Sequence, residues 1–305
     1  MARTELLTPD QARREVVHAI FLDDRFFEVM ALKGGTALVA LSIGSRASLD
    51  VDLSLRGDFD EAEFENFEEA GEVLRRSLET HFNELGYQVF DYKFDRKPSH
   101  VALDEVPAHW GGYMASFKLT DPAKFEGGLE KARVTALEIS PGGKRTFKID
   151  ISRREYVGEP LELEVGTGTW RVYTPSLLLC EKLRALCQQH PRYAASIGGM
   201  SRRKRRPRDF LDIYEIAVKY GRLPAGGAEA LRSELRACFE AKRVPLNLLL
   251  TLGDDETRDF HREGWDGVAD TTARELEPYE HYHAFVTEIA REYSAIVGDE
   301  VVGNE

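Results

Sequence analysis

Three carboxylates have the type and spacing to do chemistry together. Asp50 and Asp52 flank one valine in Asp50-Val51-Asp52-Leu53-Ser54-Leu55, whose strict polar–apolar alternation predicts a strand. Alternate side chains of a strand share a face, so both acids are expected to point one way and Val51 the other. Two like charges this close repel unless a cation or protons offset them. Mg²⁺ suits such a place, because it takes a few carboxylates and completes its shell with water and phosphate oxygens. Asp150, alone between isoleucines in Lys148-Ile149-Asp150-Ile151-Ser152, is the expected third ligand from a neighbouring strand. Ions bridged by Asp50, Asp52 and Asp150 would activate an attacking oxygen and stabilise a leaving pyrophosphate. Two acids on a strand are otherwise an ordinary exposed face, and it is the preceding segment that sharpens the reading. Lys33-Gly34-Gly35-Thr36, ahead of a short helix, offers backbone N–H groups and a positive dipole end to a triphosphate. Gly44-Ser45-Arg46 then adds hydroxyl and guanidinium donors on the way back to the acids.

Farther along, Lys182 lies beside the helical stripe Leu179, Leu183 and Leu186. Such a lysine either wets its head while packing its stem or reaches toward the β- and γ-phosphates, offsetting developing charge. Asp209 and Asp212 open a later helix, where the macrodipole favours acids with no function required. Asp212 reads as that or as a structural salt bridge, and Asp209 stays open. Arg202, Arg203, Lys204, Arg205, Arg206 and Arg208 fall within seven positions. This cluster is either a solvated loop or a grip on the phosphates of an RNA.

The elements that must position these groups follow from caps and periodicity. Thr8 and Pro9 open a helix to about Ile20. Residues 26–32 form a short strand or helix end, 37–43 a short helix and about 60–85 an acidic helix. Strands are expected at 50–55, 87–94, 113–119, 134–139 and 145–151. Beyond Pro160 the character changes: Thr174-Pro175 opens a helix through Gln188, residues 197–207 form a loop, and Asp209–Tyr220 is a helix stopped by Gly221. A final helix covers 278–293. The pattern predicts an α+β chain, with a mixed sheet and flanking helices over residues 1–165 and a mainly helical domain over 166–305.

Composition sets the bounds. At 305 residues, 42% hydrophobic and 31% charged, the chain can bury a substantial core. A net charge of −12 argues against general adhesion to nucleic acid or to anionic membrane, though not against a local basic patch. No apolar run is long enough to span a bilayer, and no secretory signal is read at the start. Cys180, Cys187 and Cys238 lack metal-binding spacing and read as core residues in a reducing compartment, so a cytoplasmic location is expected.

Taken in order, the segments resemble the AbiEii/AbiGii (MenT-like) toxin nucleotidyltransferases. The resemblance rests on LKGGTALVALSIGSRASLDVDLSL, KIDIS, TPSLLLCEKLRAL and RPRDFLDIYEI, which span residues 32–216. It implies a polymerase-beta-like nucleotidyltransferase fold, with Asp50, Asp52 and Asp150 as metal ligands and Ser45 and Lys182 on nucleotide phosphates. Asp209 would be a functional acid near the transfer centre. It also implies a toxin, active in phage defence, that moves a nucleotide from an NTP to an RNA, with the tRNA 3′ end the expected acceptor. A cognate antitoxin is the implied partner, and Ser48 stands where phosphorylation by an antitoxin kinase would set negative charge against the metal site. The residues leave two alternatives: transfer to a small-molecule or protein hydroxyl, and an inactive binding module whose acids only stabilise the sheet. The chain departs from the family pattern in a long segment between the DxD strand and KIDIS, and in the lengthened arginine loop.

Overall fold

The computed structural model describes residues 7–43, 50–99, 106–140, 143–197, 203–270, 272 and 274–298. The chain divides into two compact units, one made of Met1–Ala40 and Ala47–Val172, the other of Leu41–Arg46 and Tyr173–Glu305.

The first unit is built on a seven-stranded mixed sheet in the order β3-β4-β5-β2-β1-β7-β6. Its strands are β1 (Met30–Lys33), β2 (Val51–Leu55), β3 (Gln88–Lys97), β4 (Gly112–Thr120), β5 (Phe147–Ser152), β6 (Leu161–Val165) and β7 (Gly168–Val172). Helix α1 (Pro9–Phe21) starts on a complete capping box in which Thr8 and Gln11 satisfy each other's backbone N–H groups, as Thr8-Pro9 leads one to expect. After α1 come α2 (Asp24–Val29), α3 (Gly34–Ala40) and α4 (Phe67–Glu84).

Alternation divides the sheet into two faces. Val51, Leu53, Ile149, Ile151, Ala115 and Phe117 are buried on one side with the apolar stripes of α1 and α4, among them Val16, Ile20, Leu74, Leu78 and Phe82. Ring contacts from Phe82 to Phe117 and from Phe117 to Phe147 mark that layer. The opposite face carries Asp52, Ser54, Asp150 and Ser152, set directly across from one another by the parallel pairing of β2 with β5.

Three expectations change. Residues 134–139 are not a strand: after α5 (Pro122–Phe125), α6 (Leu129–Thr135) takes the first two of them and the rest are irregular, with Ala132 and Ala136 packed against Phe90 and Phe125. The acidic helix begins at Phe67 rather than near residue 60, because the Asn66 side chain caps Glu69 N–H. The first unit runs on to Val172 rather than stopping near 165, because the β6–β7 hairpin joins the sheet through a β7–β1 pairing at Leu32 and Val172.

The second unit consists of α7 (Pro175–Cys187), α8 (Pro191–Ser196), α9 (Pro207–Tyr220), α10 (Gly227–Glu240), α11 (Asp255–Arg262), α12 (Asp266–Ala269) and α13 (Tyr279–Val297). Thr174 caps α7, and Gly221, at φ +86°, ends α9. No described helix is long and apolar enough to cross a membrane.

Candidate active site

The register gathers two of the three expected acids. Asp52 lies opposite Asp150 across the β2–β5 pair and opposite Lys33 across the β1–β2 pair, so an acid, an acid and a lysine form a row across three strands. Neighbouring strands lie about 4.8 Å apart, which brings both carboxylates within reach of one small cation. Both residues are half-buried on the polar face.

Asp50 differs from expectation. It precedes β2 rather than belonging to it and is exposed, so strand alternation does not fix its direction. Its backbone is held instead, since the Thr36 hydroxyl donates to the Asp50 carbonyl at 3.1 Å. The charge of Asp50 is also felt by Arg13. Burial lowers the pKa of that guanidinium, and Asp50 opposes the shift.

Gly34 is the close approach in this site. Its φ of +64° is one that L side chains rarely adopt, and a Cβ there would run into the Asp52 carboxylate. The Gly34-Gly35 pair thus lets backbone pass against a functional acid. Lys33 is buried, and its ammonium donates to Glu155 at 3.2 Å. This pairing does not present Lys33 to a phosphate as the sequence suggests. Glu155 was not foreseen, and nothing local in the sequence marks it.

Lys97 was also missed. Its ammonium donates to Asp150, with side-chain exposures of 41% and 31%. Among the described residues, no three His, Cys, Asp or Glu side chains stand together closely enough to hold a metal ion. The donor chemistry and the Asp52–Asp150 register nevertheless suit Mg²⁺. With Asp150 turned to an ammonium, a cation already stands where a metal would compete. Ser45, Arg46, Ser48 and Arg202 lie outside the described residues.

In the second unit Lys182 is 3% exposed, donating to Asp212 at 2.6 Å and to Asp209 at 3.2 Å. Arg206 pairs with the other oxygen of Asp209. Burial works against the lysine's charge, but Asp212 and Asp209 outweigh it and hold its pKa above the ordinary value. Burial would likewise raise the Asp209 carboxyl, yet Arg206 and Lys182 hold it below the usual range. Lys182 thus sits in a buried ion cluster instead of reaching outward, and Asp212, read from the sequence as a helix-start acid or a structural salt bridge, proves to be in such a bridge, with Lys182 as its partner. The backbone N–H of Arg206 donates to His261 Nδ1 at 2.9 Å.

The arginine loop is more engaged than a solvated tail. Arg203 Nε donates to the Gln189 carbonyl at 2.6 Å, and the guanidinium stacks 4.3 Å from the centre of Phe260. Arg205 pairs with Glu263. Arg203 and Arg206 are half-buried, which leaves Lys204, Arg205 and Arg208 as the exposed cations of the described part.

No curated protein sequence matches the chain. Among solved structures, a proposed nucleotidyltransferase from H. pylori aligns over 97% of both chains at 16% identity and a TM-score of 0.48. The nucleotidyltransferase toxin MenT4 of Mycobacterium tuberculosis aligns over 96% of this chain and 91% of its own, at 14% identity and a TM-score of 0.42. Likenesses this distant carry no functional weight. The sequence model of the family described as "Nucleotidyl transferase AbiEii toxin, Type IV TA system" matches residues 17–288. A match across this much of the sequence settles membership: the protein belongs to the AbiEii family of nucleotidyltransferase toxins, the toxin side of toxin–antitoxin systems.

Proposed function

We propose that the protein transfers a nucleoside monophosphate from an NTP to a hydroxyl at an RNA end, with the tRNA 3′ end as the expected acceptor. The observation that carries this reading is the pairing of Asp52 with Asp150 across adjacent parallel strands, on the polar face of the sheet. Mg²⁺ would be held by Asp50, Asp52 and Asp150, and when bound it would offset the charge that develops on the phosphates. The Gly34-Gly35 backbone, which lies against Asp52, lets the triphosphate approach the acids without a side chain between them. Thr36 keeps the chain entering β2 in place through the Asp50 carbonyl. The acceptor oxygen attacks the α-phosphorus, the bond from that phosphorus to the β-phosphate oxygen breaks, and pyrophosphate leaves. Asp150, the acid on the side away from Gly34, takes the acceptor's proton once Lys97 has moved off it. Lys182, Arg206 and Asp212 hold Asp209 in place within the second unit. In the cell the activity would be restrained by a cognate antitoxin, and the pair would serve phage defence.

Incubation with each labelled NTP, Mg²⁺ and fractionated total RNA, protein and metabolites tests the reading. Label is expected on RNA 3′ ends, and its appearance only in protein or metabolites would redirect the acceptor. Asp52→Ala should abolish transfer without lowering the melting temperature, since removing a crowded acid relieves repulsion. Unaltered transfer by that variant would end the proposal.

A further inference from the structure

We propose that Lys93 and Lys148 hold phosphates of the RNA acceptor's 3′ strand on the acid-bearing face of the sheet, in the complex that also holds the NTP. This rests on the reading that the acceptor is an RNA. The strand registers decide which side chains share that face. Asp52, Asp150, Met114 and Asp95 stand opposite one another in turn across β2, β5, β4 and β3. Two residues along, Lys148 stands opposite Ser116, and Ser116 opposite Lys93. Side chains two apart on a strand, or directly opposite on its neighbour, point the same way. The lysine row therefore lies beside the acids and away from the helix-covered side of Ile149, Ala115 and Phe117. Along β5, Lys148 is about 6.6 Å from Asp150, the acid proposed to receive the acceptor's proton.

Both lysines are exposed. Lys97 and Lys118, the other lysines of this face on β3 and β4, pair with Asp150 and Asp91. Among the described residues no acid pairs with Lys93 or Lys148. Because β3 is an edge strand, an outward lysine there also guards against pairing with another chain. That role does not account for Lys148, since β5 is central, with β4 on one side and β2 on the other. A bare ammonium in mid-sheet, two residues from a proposed catalytic acid, is complementary to an anion from outside the chain.

The borders of the row set how a strand would lie. Beyond it, Phe90 stands opposite Lys118 and packs against Phe125, Ala132 and Ala136, so α5 and α6 rest on this same face. Arg133 and Lys118 both pair with Asp91 and anchor α6 there. These helices belong to the long segment by which the chain departs from the family pattern. With α6 on one side and the acids on the other, a strand following the lysines crosses β3, β4 and β5 and brings its end to Asp150. Gly34, proposed to meet the triphosphate, follows β1 on the opposite flank of the acids, so the two substrates do not compete.

The acids time the contact. Asp95 is exposed in their row, and Asp50, Asp52, Asp95 and Asp150 outnumber the two lysines until a cation offsets them. Mg²⁺ is held well by a few carboxylates together with substrate phosphates, so the lysines engage RNA once the NTP is in place. RNA without the NTP is captured by other cations.

The test uses the full chain, a short single-stranded RNA and constant Mg²⁺, with binding followed over a range of salt, without and with a non-hydrolysable NTP analogue. In the wild type the analogue should steepen the dependence of log Kd on log salt by about 1.4, at roughly 0.7 per phosphate contact on a single strand. The added slope should vanish in the double variant Lys93→Gln, Lys148→Gln and halve in each single one. Melting temperature and analogue affinity should not change, because both lysines are exposed and unpaired. Asp95→Asn, which removes the opposing acid, should tighten RNA binding in the presence of the analogue. An added slope that persists in the double variant, or none in the wild type, would overturn the lysine row while leaving the RNA acceptor standing. Failure of the wild-type chain to bind the RNA under either condition, with the analogue still bound, would remove the RNA acceptor and the row together.

Discussion

Asp52 is positioned as much by what Gly34 lacks as by its own strand. At φ +64°, alanine at position 34 costs about 1–2 kcal/mol in backbone strain, and its methyl would displace the Asp52 carboxylate. Gly34→Ala is therefore expected to lower stability by that modest amount and to remove nearly all nucleotide transfer. Glycine at Gly35 carries no such positive φ, so Gly35→Ala should be milder. Equal transfer rates in both variants, measured with labelled NTP, would show that the contact with Asp52 is idle. The aspartates themselves were legible in the sequence, because alternation and isoleucine flanks mark strand acids without any knowledge of partners. Lys97 and Glu155 were not, since each meets its partner through strand registers or a turn that no local pattern specifies.

At the scale of elements, what could be read was what local caps decide. Thr8-Pro9, Thr174-Pro175 and Gly221 set the ends of α1, α7 and α9 through their own backbone chemistry. Residues 134–139 misled because Val134 and Thr135 favour strands, whereas Val134 and Thr135 end helix α6 with Val134 exposed, and the chain beyond, from Ala136 on, packs on Phe90 without regular structure. The β6–β7 hairpin carried a usable signal in Leu161-Glu162-Leu163-Glu164-Val165 followed by Gly166 and Gly168.

Between α7 and α9 the decisive feature is the buried cluster of Lys182, Asp209 and Asp212. Removing the lysine strands two buried carboxylates, a loss of about 3–5 kcal/mol. Lys182→Ala should accordingly show a large fall in urea midpoint, and adding Asp212→Asn should recover part of it. A Lys182→Ala chain as stable as the wild type, yet slow in transfer, would return the lysine to a direct role on phosphate.

His261 ties α11 to the start of α9 and makes that junction sensitive to acid. Because the Arg206 N–H donates to Nδ1, the ring is neutral with its proton on Nε2. Burial is the main cause that pushes its pKa from 6.5 down to about 4, with the Asp209 carboxylate opposing and Arg206, Arg203 and His283 assisting. The folded pKa lies below the unfolded one, so the contribution to stability is complete above pH 6.5. It is lost as pH falls toward 4, where the unfolded ring takes a proton that the folded ring refuses. At pH 5 the loss amounts to about 2 kcal/mol. Urea melts at pH 7 and pH 5 should differ by that much in the wild type and by less in His261→Gln, whose amide can still accept from Arg206. Identical pH dependence in the two would assign the acid sensitivity elsewhere.

For the molecule as a whole, charge opposes the proposed substrate. A net −12 repels RNA at a distance, so capture depends on local cations and not on a general field. In the described part of the arginine loop only Lys204, Arg205 and Arg208 are exposed, while Arg203 and Arg206 serve Gln189, Phe260 and Asp209. If these three each neutralise one phosphate, log Kd should rise with log salt by about 2, at roughly 0.7 per contact on a single strand. Replacing all three with glutamine should flatten the slope toward zero and weaken RNA binding, with NTP affinity unchanged. None of the three lies within a described buried cluster, so the triple variant should melt as the wild type does. A slope that survives the substitution would place the RNA's phosphates on some other surface, and a slope well above 2 would require more cations than the described part of this loop exposes.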